Sequence, residues 1–542
     1  MRVHRRPLLS LLSSPLIPLL VFSGLVNAIH GSKFTIIEAT IDDIQRAFSR
    51  KELTSRRLVD LYLDQIVRLN PLLRSVLEVN PDVRDQADEA DRQREEAVAG
   101  CLGELHGIPV LLKDSIATKD KLNNTAGSYA LLGSKVPGDA GVVDRLRRAG
   151  ALILGKASLS DWYGVRSLKI PNGWCARGGQ GVNPYVEWGD PCGSSSGPAI
   201  SVAANMVSIS VGTETDGSII CPADHNSAVG IKPTVGLTSR AGVIPVSPRQ
   251  DSIGPICRTV TDAVYLLEAI VGFDPKDYEA TKAAAKFIPA GGYSQFLKKD
   301  GLQGKRLGVV RYPFLDSYNG STAITAFEHH LNVLRQGGAT IVDNLEIANI
   351  DIIMNPSLSG ELVLLFAEFK LSLNTYLEEL LNSTVRSLSD IIAFNSNHPI
   401  LERMKEFGQD LFIASEMTNG IGEEEIKAYE TLEKLSKYGF EKMMKENDLD
   451  AMVTLGSDAA TVLAIGGYPG ITVPGGYESD GMPFGICFGG LKGTEPKLIE
   501  IAYGFEQATR VRRPPDLSSS MEFSADHDDQ ERLSTLPQQY YE

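Results

Sequence analysis

Seven short, mainly apolar runs constrain this chain more than any other feature: Ile108–Leu112, Ala151–Leu154, Val207–Val211, Leu307–Val310, Met452–Leu455, Ile471–Val473 and Phe484–Phe488. Each has the length of a strand, and most lack the polar positions that a solvent-facing side would show. Helical patterns such as Asp139–Ala149 and Ser196–Met206 lie between several of them. Strands buried on both faces need helices to cover them, which predicts an α/β architecture. Upstream, residues 40–98 read as helices. Thr40 with Asp43 forms a capping-box-like start, and Leu58, Leu61, Tyr62 and Ile66 fall on one apolar face. A chain of 542 residues with 43% hydrophobic content can bury such a core.

The two ends differ from this pattern. Arg2, Arg5 and Arg6 precede an apolar stretch from Leu8 to Val26, which closes on Val26-Asn27-Ala28. That is the three-part layout of a secretory leader at residues 1–28, with cleavage after Ala28. The alternative is an uncleaved membrane anchor, because the stretch approaches the ~20 residues that span a bilayer. Pro15, Pro18 and the small-residue ending favour cleavage, which predicts a secreted protein with no stable membrane association. Residues 516–542 are polar and acidic and read as a disordered tail. Within the remaining domain, 29–515, the stretch 275–447 is more polar and mostly helical, and reads as a variable insertion or cap.

The net charge of -15, with no stripe of Lys or Arg, argues against nucleic acid as a partner. Six cysteines (Cys101, Cys175, Cys192, Cys221, Cys257 and Cys487) are too few for a disulfide scaffold, and their pairing is open. None has C-x2-C spacing and histidine is sparse, so no metal site is expected. Asn123, Asn319 and Asn382 stand in glycosylation sequons.

Three segments carry residues suited to chemistry. In Gly107-Ile108-Pro109-Val110-Leu111-Leu112-Lys113-Asp114, a lysine closes a strand-like run, where desolvation lowers its pKa. The bland alternative is a structural lysine paired with a carboxylate such as Asp114. In Asp190-Pro191-Cys192-Gly193-Ser194-Ser195-Ser196-Gly197, glycine-flanked hydroxyls suit a tight loop, stiffened by Pro191 and anchored by the helical pattern that follows. In Gly212-Thr213-Glu214-Thr215-Asp216-Gly217-Ser218-Ile219, a strand-like run feeds a turn whose consecutive amides can converge on an anion. Taken singly, the lysine and the Ser218 turn each read more naturally as structural.

Together they resemble the amidase signature family, whose marks are a GxPxxxKD segment, a G-S-S-x-G loop and a serine 24 residues further on in a G-x-x-x-G-S-I turn. Further matches include Gly230–Leu237, Gln250–Pro255, Arg258–Ala263, Gly467–Pro474 and Pro483–Ile486, so the resemblance covers about residues 40–513. Asn172-Gly173-Trp174 through Asn183-Pro184-Tyr185, with the Thr215–Ser218 turn, look most like the peptide amidase branch. The resemblance implies a large mixed β-sheet covered by helices on both faces, a small-molecule amide as substrate, and no cofactor or metal. It also implies residue roles: Ser218 as nucleophile, Ser194 on a cis peptide as proton relay, and neutral Lys113 as base. The amides of Thr215, Asp216, Gly217 and Ser218 would face the developing oxyanion. Where many members have glycine, this chain has Asp216 and Ser196; where many have arginine it has Ile220.

Other readings make different demands. Gly193–Gly197 also fits G-x-S-x-G, the nucleophile elbow of α/β-hydrolases, with Ser195 as nucleophile. That elbow requires a strand directly before it, yet Asn183–Cys192 is rich in Pro, Gly and polar residues. His329, His330 and His398 lie in the polar stretch without a triad context. An inactive secreted binding protein on the same fold would have kept Lys113, Ser194 and Ser218 for no purpose. An amide-processing enzyme of secondary metabolism would use the same core. The ammonia-releasing subunit of tRNA-linked glutamine synthesis is at odds with the leader and the acidic surface.

Overall fold

In the computed structural model, which describes residues 34–97 and 102–517, each of the seven apolar runs falls wholly or mostly in a strand. The strands are β1 (Val76–Val79), β2 (Pro109–Lys113), β3 (Leu152–Ala157), β4 (Trp174–Cys175), β5 (Gly179–Gln180), β6 (Ile209–Glu214) and β7 (Val229–Lys232). They continue with β8 (Ser252–Cys257), β9 (Arg306–Val310), β10 (Thr340–Leu345), β11 (Ala451–Leu455), β12 (Gly470–Tyr477) and β13 (Pro483–Gly489). Eleven of them form one sheet in the order β1-β3-β2-β6-β8-β7-β12-β13-β11-β9-β10, while β4 and β5 pair separately. The sheet is mixed. β2 runs parallel to β3 and β6, and β9 runs parallel to β10 and β11. The other neighbours are antiparallel. Every residue of β2, β3 and β6 is buried, as continuous apolar runs require.

Helices cover the sheet: α1 (Ile41–Ser49), α2 (Ser55–Leu73), α3 (Val83–Glu96), α4 (Gly141–Arg148), α5 (Ser196–Ala203), α6 (Ile220–His225) and α7 (Val260–Ile270), with more beyond. The capping box forms at α1: Thr40 Oγ1 accepts from the Asp43 amide at 3.2 Å, and Asp43 Oδ2 accepts from the Thr40 amide at 3.1 Å. In α2, Leu58, Tyr62 and Ile66 are buried and Leu61 is half-buried. Truncating Leu58 to alanine there costs roughly 2–5 kcal/mol.

The stretch 275–447 supplies β9 and β10 to the far edge of the sheet as well as helices. Its helices Glu361–Glu379, Leu388–Asn397 and Asp410–Glu416 pack on Ala126, Trp162, Ile244 and Val246. A buried ionic trio ties it down further. Arg166 Nη1 lies 2.9 Å from Asp161 Oδ2 and 3.1 Å from Glu402 Oε2, with all three side chains out of contact with water. The leader-like residues 1–28, nearly all of the tail 516–542, and Cys101 lie outside the described residues.

Candidate active site

Lys113 ends β2 between two parallel neighbours, and its side chain is fully buried. Its Nζ lies 2.7 Å from Ser194 Oγ, 2.9 Å from Ser195 Oγ and 3.1 Å from the Thr213 carbonyl oxygen. The ring of Tyr163 covers the amine, with its centroid 5.0 Å away. Among the described residues no carboxylate forms an ion pair with Lys113. Burial holds its pKa well below the ordinary lysine value, and the more distant Glu214 and Asp251 offset only part of that. The pairing with Asp114 does not form: Asp114 accepts from Thr125 and faces Arg177, whose Nη1 is 3.4 Å from Oδ2. Two other fully buried lysines, Lys156 and Lys232, end on backbone carbonyls. Lys113 alone of the three also meets two hydroxyls.

The serine loop runs from Cys192 into α5, and its Gly193–Ser194 peptide is cis. A Cβ at Gly193 would collide with Ser160 Oγ, so only glycine permits this approach. The second serine follows β6, in a turn where Gly217 takes φ +77°. The Ser195 amide donates to the Ser218 carbonyl oxygen at 3.2 Å, which registers one loop against the other. Ser194 and Ser218 are 2% and 8% exposed, so both residues are largely buried. A cavity beside Lys113 is lined by Tyr163, Thr213, Thr215, Ile244 and Asp251.

The turn is wrapped round a buried acid that sequence reading overlooked. Glu214 Oε2 accepts from the amides of Ile219 at 2.6 Å and Ile220 at 2.9 Å. Burial pushes the Glu214 pKa up. Among the described residues, no acceptor meets the amides of Asp216 and Ser218. The Thr215 hydroxyl donates to Asp251 Oδ1 at 2.6 Å. Asp216 turns toward the helix Ala460–Gly466, where Thr461 Oγ1 donates to its Oδ2 at 2.8 Å. Burial first, and Glu361 second, raise the Asp216 pKa well above the ordinary carboxyl value. Ile220 is buried at the start of α6.

Ser195 does not sit on an elbow. No strand precedes it, it is fully buried, and its hydroxyl donates to the Thr213 carbonyl at 3.0 Å and accepts from the Thr213 amide at 3.2 Å. His330 is spent elsewhere, with Nε2 2.6 Å from the Gly475 carbonyl oxygen.

A disulfide joins Cys192 to Cys221, whereas Cys175, Cys257 and Cys487 are free and buried. The sequence held a faint signal for it: each cysteine lies two or three residues from one of the two serines. Cys192, Cys221 and His225 have donor atoms within 4.8 Å of one another, but with the sulfurs bonded together only His225 is left to offer one. Asn319 and Asn382 are exposed; Asn123 is half-buried and its Nδ2 donates to Glu78 at 2.8 Å.

A mixed sheet thus sets a buried lysine against a serine loop that is bonded in turn to a second one, and comparison with known proteins gives the family and with it a hydrolase acting on carbon–nitrogen bonds. The amidase family model matches residues 57–454, and the chain belongs to that family. A probable amidase of Arabidopsis thaliana is 60% identical over 484 residues, covering 89% of this chain and 92% of that one. The native peptide amidase of Stenotrophomonas maltophilia superposes with TM-score 0.82 at 41% identity, over 89% of this chain and 99% of that chain. An amidase family protein of Bacillus anthracis gives TM-score 0.83 at 34% identity, over 89% and 93%.

Proposed function

We propose that this protein hydrolyses a carboxamide or secondary amide through an acyl-Ser218 intermediate, with Ser194 relaying protons between Ser218 and Lys113. One observation carries the reading: the count of protons around Lys113 Nζ. In the neutral form, toward which burial pushes it, the amine has two N–H groups and one lone pair. The Thr213 carbonyl can only accept, so it takes one N–H. Ser195 spends its own proton on the same carbonyl, so its oxygen accepts the second N–H. The lone pair is left facing Ser194 at 2.7 Å.

The reaction follows from that arrangement. As Ser218 Oγ attacks the carbonyl carbon, its proton passes to Ser194 Oγ while the Ser194 proton passes to Lys113. The free amides of Asp216 and Ser218 face the oxygen that gains charge, while the Asp216 carboxyl is engaged by Thr461. Collapse returns a proton through Ser194 to the departing nitrogen, leaving the acyl-enzyme, and water then repeats the path to free the acid. Histidine is not needed. Similarity to a peptide amidase makes peptide amides the first substrates to try. Labelling by a fluorophosphonate tests the nucleophile: the folded protein takes up label at Ser218, and an unlabelled folded protein sinks the reading. Ammonia release from a panel of peptide, aryl and fatty amides, with Ser218→Ala as blank, then ranks substrates.

Export through the leader at residues 1–28 belongs to the same proposal. A disulfide between Cys192 and Cys221 suits an oxidising compartment, which supports it.

A further inference from the structure

We propose that the Cys192–Cys221 disulfide is a positioning element of the reaction, holding the two serine loops in the register that lets Ser194 and Ser218 exchange a proton. The proposal rests on the Ser218 reading above. Cys192 lies two residues before Ser194 and Cys221 three after Ser218, so the bond joins the two reacting loops close to their hydroxyls.

The surroundings point the same way. Cys192 is held at φ +52°, a left-handed conformation that residues with side chains adopt only when neighbours impose it. Its amide donates to Asp190 Oδ1 at 2.8 Å. Asn226 Nδ2 donates to the Pro191 carbonyl at 2.9 Å, and His225 Nδ1 to the Asp190 carbonyl at 2.9 Å. Each of these two long-range bonds docks the stretch before the serine loop onto α6 or the residue after it. They hold the stretch ahead of Cys192. If the covalent bond is cut, Cys192 itself keeps, among the described residues, only bonds within its own loop, to Asp190 and from Ser196, and the two loops keep the single Ser195–Ser218 backbone bond. A relay between hydroxyls works only over about 2.6–3.2 Å, and a displacement near 1 Å costs on the order of 100-fold. Cutting the bond is therefore expected to leave a folded, slow enzyme.

Reduction by a dithiol performs the cut. Cys192 is buried and Cys221 half-buried, so the reagent's thiolate attacks Cys221 Sγ and expels the Cys192 thiolate. The reagent's second thiol then closes on the mixed disulfide and frees Cys221. The reagent becomes a cyclic disulfide, two electrons reach the protein, and the two thiolates take up two protons.

The experiment compares oxidised, dithiothreitol-reduced and reoxidised enzyme on one amide substrate, with near-UV circular dichroism on each sample. The Cys192→Ser/Cys221→Ser double variant is run alongside. Expected is a kcat lower by roughly 10- to 100-fold, a KM changed less than about twofold, and fluorophosphonate labelling slowed in proportion to kcat. The fold signal should persist and reoxidation should restore the rate. The double variant should match the reduced enzyme and ignore reductant. A reduced, folded enzyme that keeps the oxidised rate overturns the proposal. So does unfolding on reduction at every assay temperature, which would make the bond a support of the fold alone. If the oxidised protein neither hydrolyses amides nor takes label, the Ser218 reading falls first and this role with it.

Discussion

Replacing Lys113 by methionine separates the chemistry of this residue from its packing. The side chain keeps its unbranched shape in a fully buried slot, and such swaps usually cost less than about 1.5 kcal/mol. Thr213 and Ser195 still bond each other at 3.0 and 3.2 Å after the amine is gone, so Ser194 is the group that loses a partner. One buried hydroxyl left without a partner costs about 1–3 kcal/mol, against which the desolvation of the amine is relieved. The net change in stability should stay within about 2 kcal/mol, a shift in Tm of a few degrees.

The rate behaves differently. Loss of a general base costs roughly 100- to 10,000-fold, or about 2.7–5.5 kcal/mol in the barrier. Ammonia release and thermal melts on the same preparation read both quantities. In the wild type, activity should fall as pH drops through the lowered Lys113 pKa, because the amine becomes protonated. Between that pKa and the unfolded value, the unfolded chain binds one proton more than the fold, so stability rises with pH; Lys113→Met removes that rise. A variant retaining more than about a tenth of the activity refutes the assignment of the base. A collapse in stability refutes the packing argument.

Further outcomes can be checked in parallel. Ser218→Ala should abolish both hydrolysis and fluorophosphonate labelling, whereas Ser195→Ala should keep its labelling site; the reverse pattern would restore the elbow reading. Arg166→Met leaves Asp161 and Glu402 buried without their cation and should cost about 3–5 kcal/mol in denaturant unfolding. Burial, with Glu402 beside it, raises the Asp161 pKa from 3.8 to about 7, so the fold keeps a proton that the unfolded chain has lost. Stability therefore falls as pH rises through that window, and Asp161→Asn should flatten that part of the Tm–pH curve. Sequencing the N-terminus of protein recovered from a secreting host should begin at Ile29; a chain retaining Met1 in the membrane would favour the anchor.

Several strands were legible because a run buried on both faces, such as Ile108–Leu112, needs no knowledge of its partners. β7, β8 and β10 were not, nor was β1, which lies inside the 40–98 stretch read as helical and is a strand through its pairing with β3. Val229-Gly230-Ile231-Lys232 is short, β8 carries Gly254 and Pro255 mid-strand, and β10 is a mostly half-buried edge with polar residues. Their pairing comes from neighbours in the sheet, and a local pattern does not encode it.

At the site, residue types and the 24-residue spacing of Ser194 and Ser218 were properties of the sequence alone, as was the placement of Lys113 at a strand end. Tertiary structure decided which groups surround the amine. Sequence offered Asp114 as its partner, but Arg177 and Thr125 claim that carboxyl, and Lys113 is left among hydroxyls. Glu214 beneath the turn, Thr461 on Asp216 and the choice of Cys221 for Cys192 are likewise contacts made by folding. The reason is physical: a charge state depends on burial and on atoms within a few ångströms, and those atoms come from remote parts of the chain.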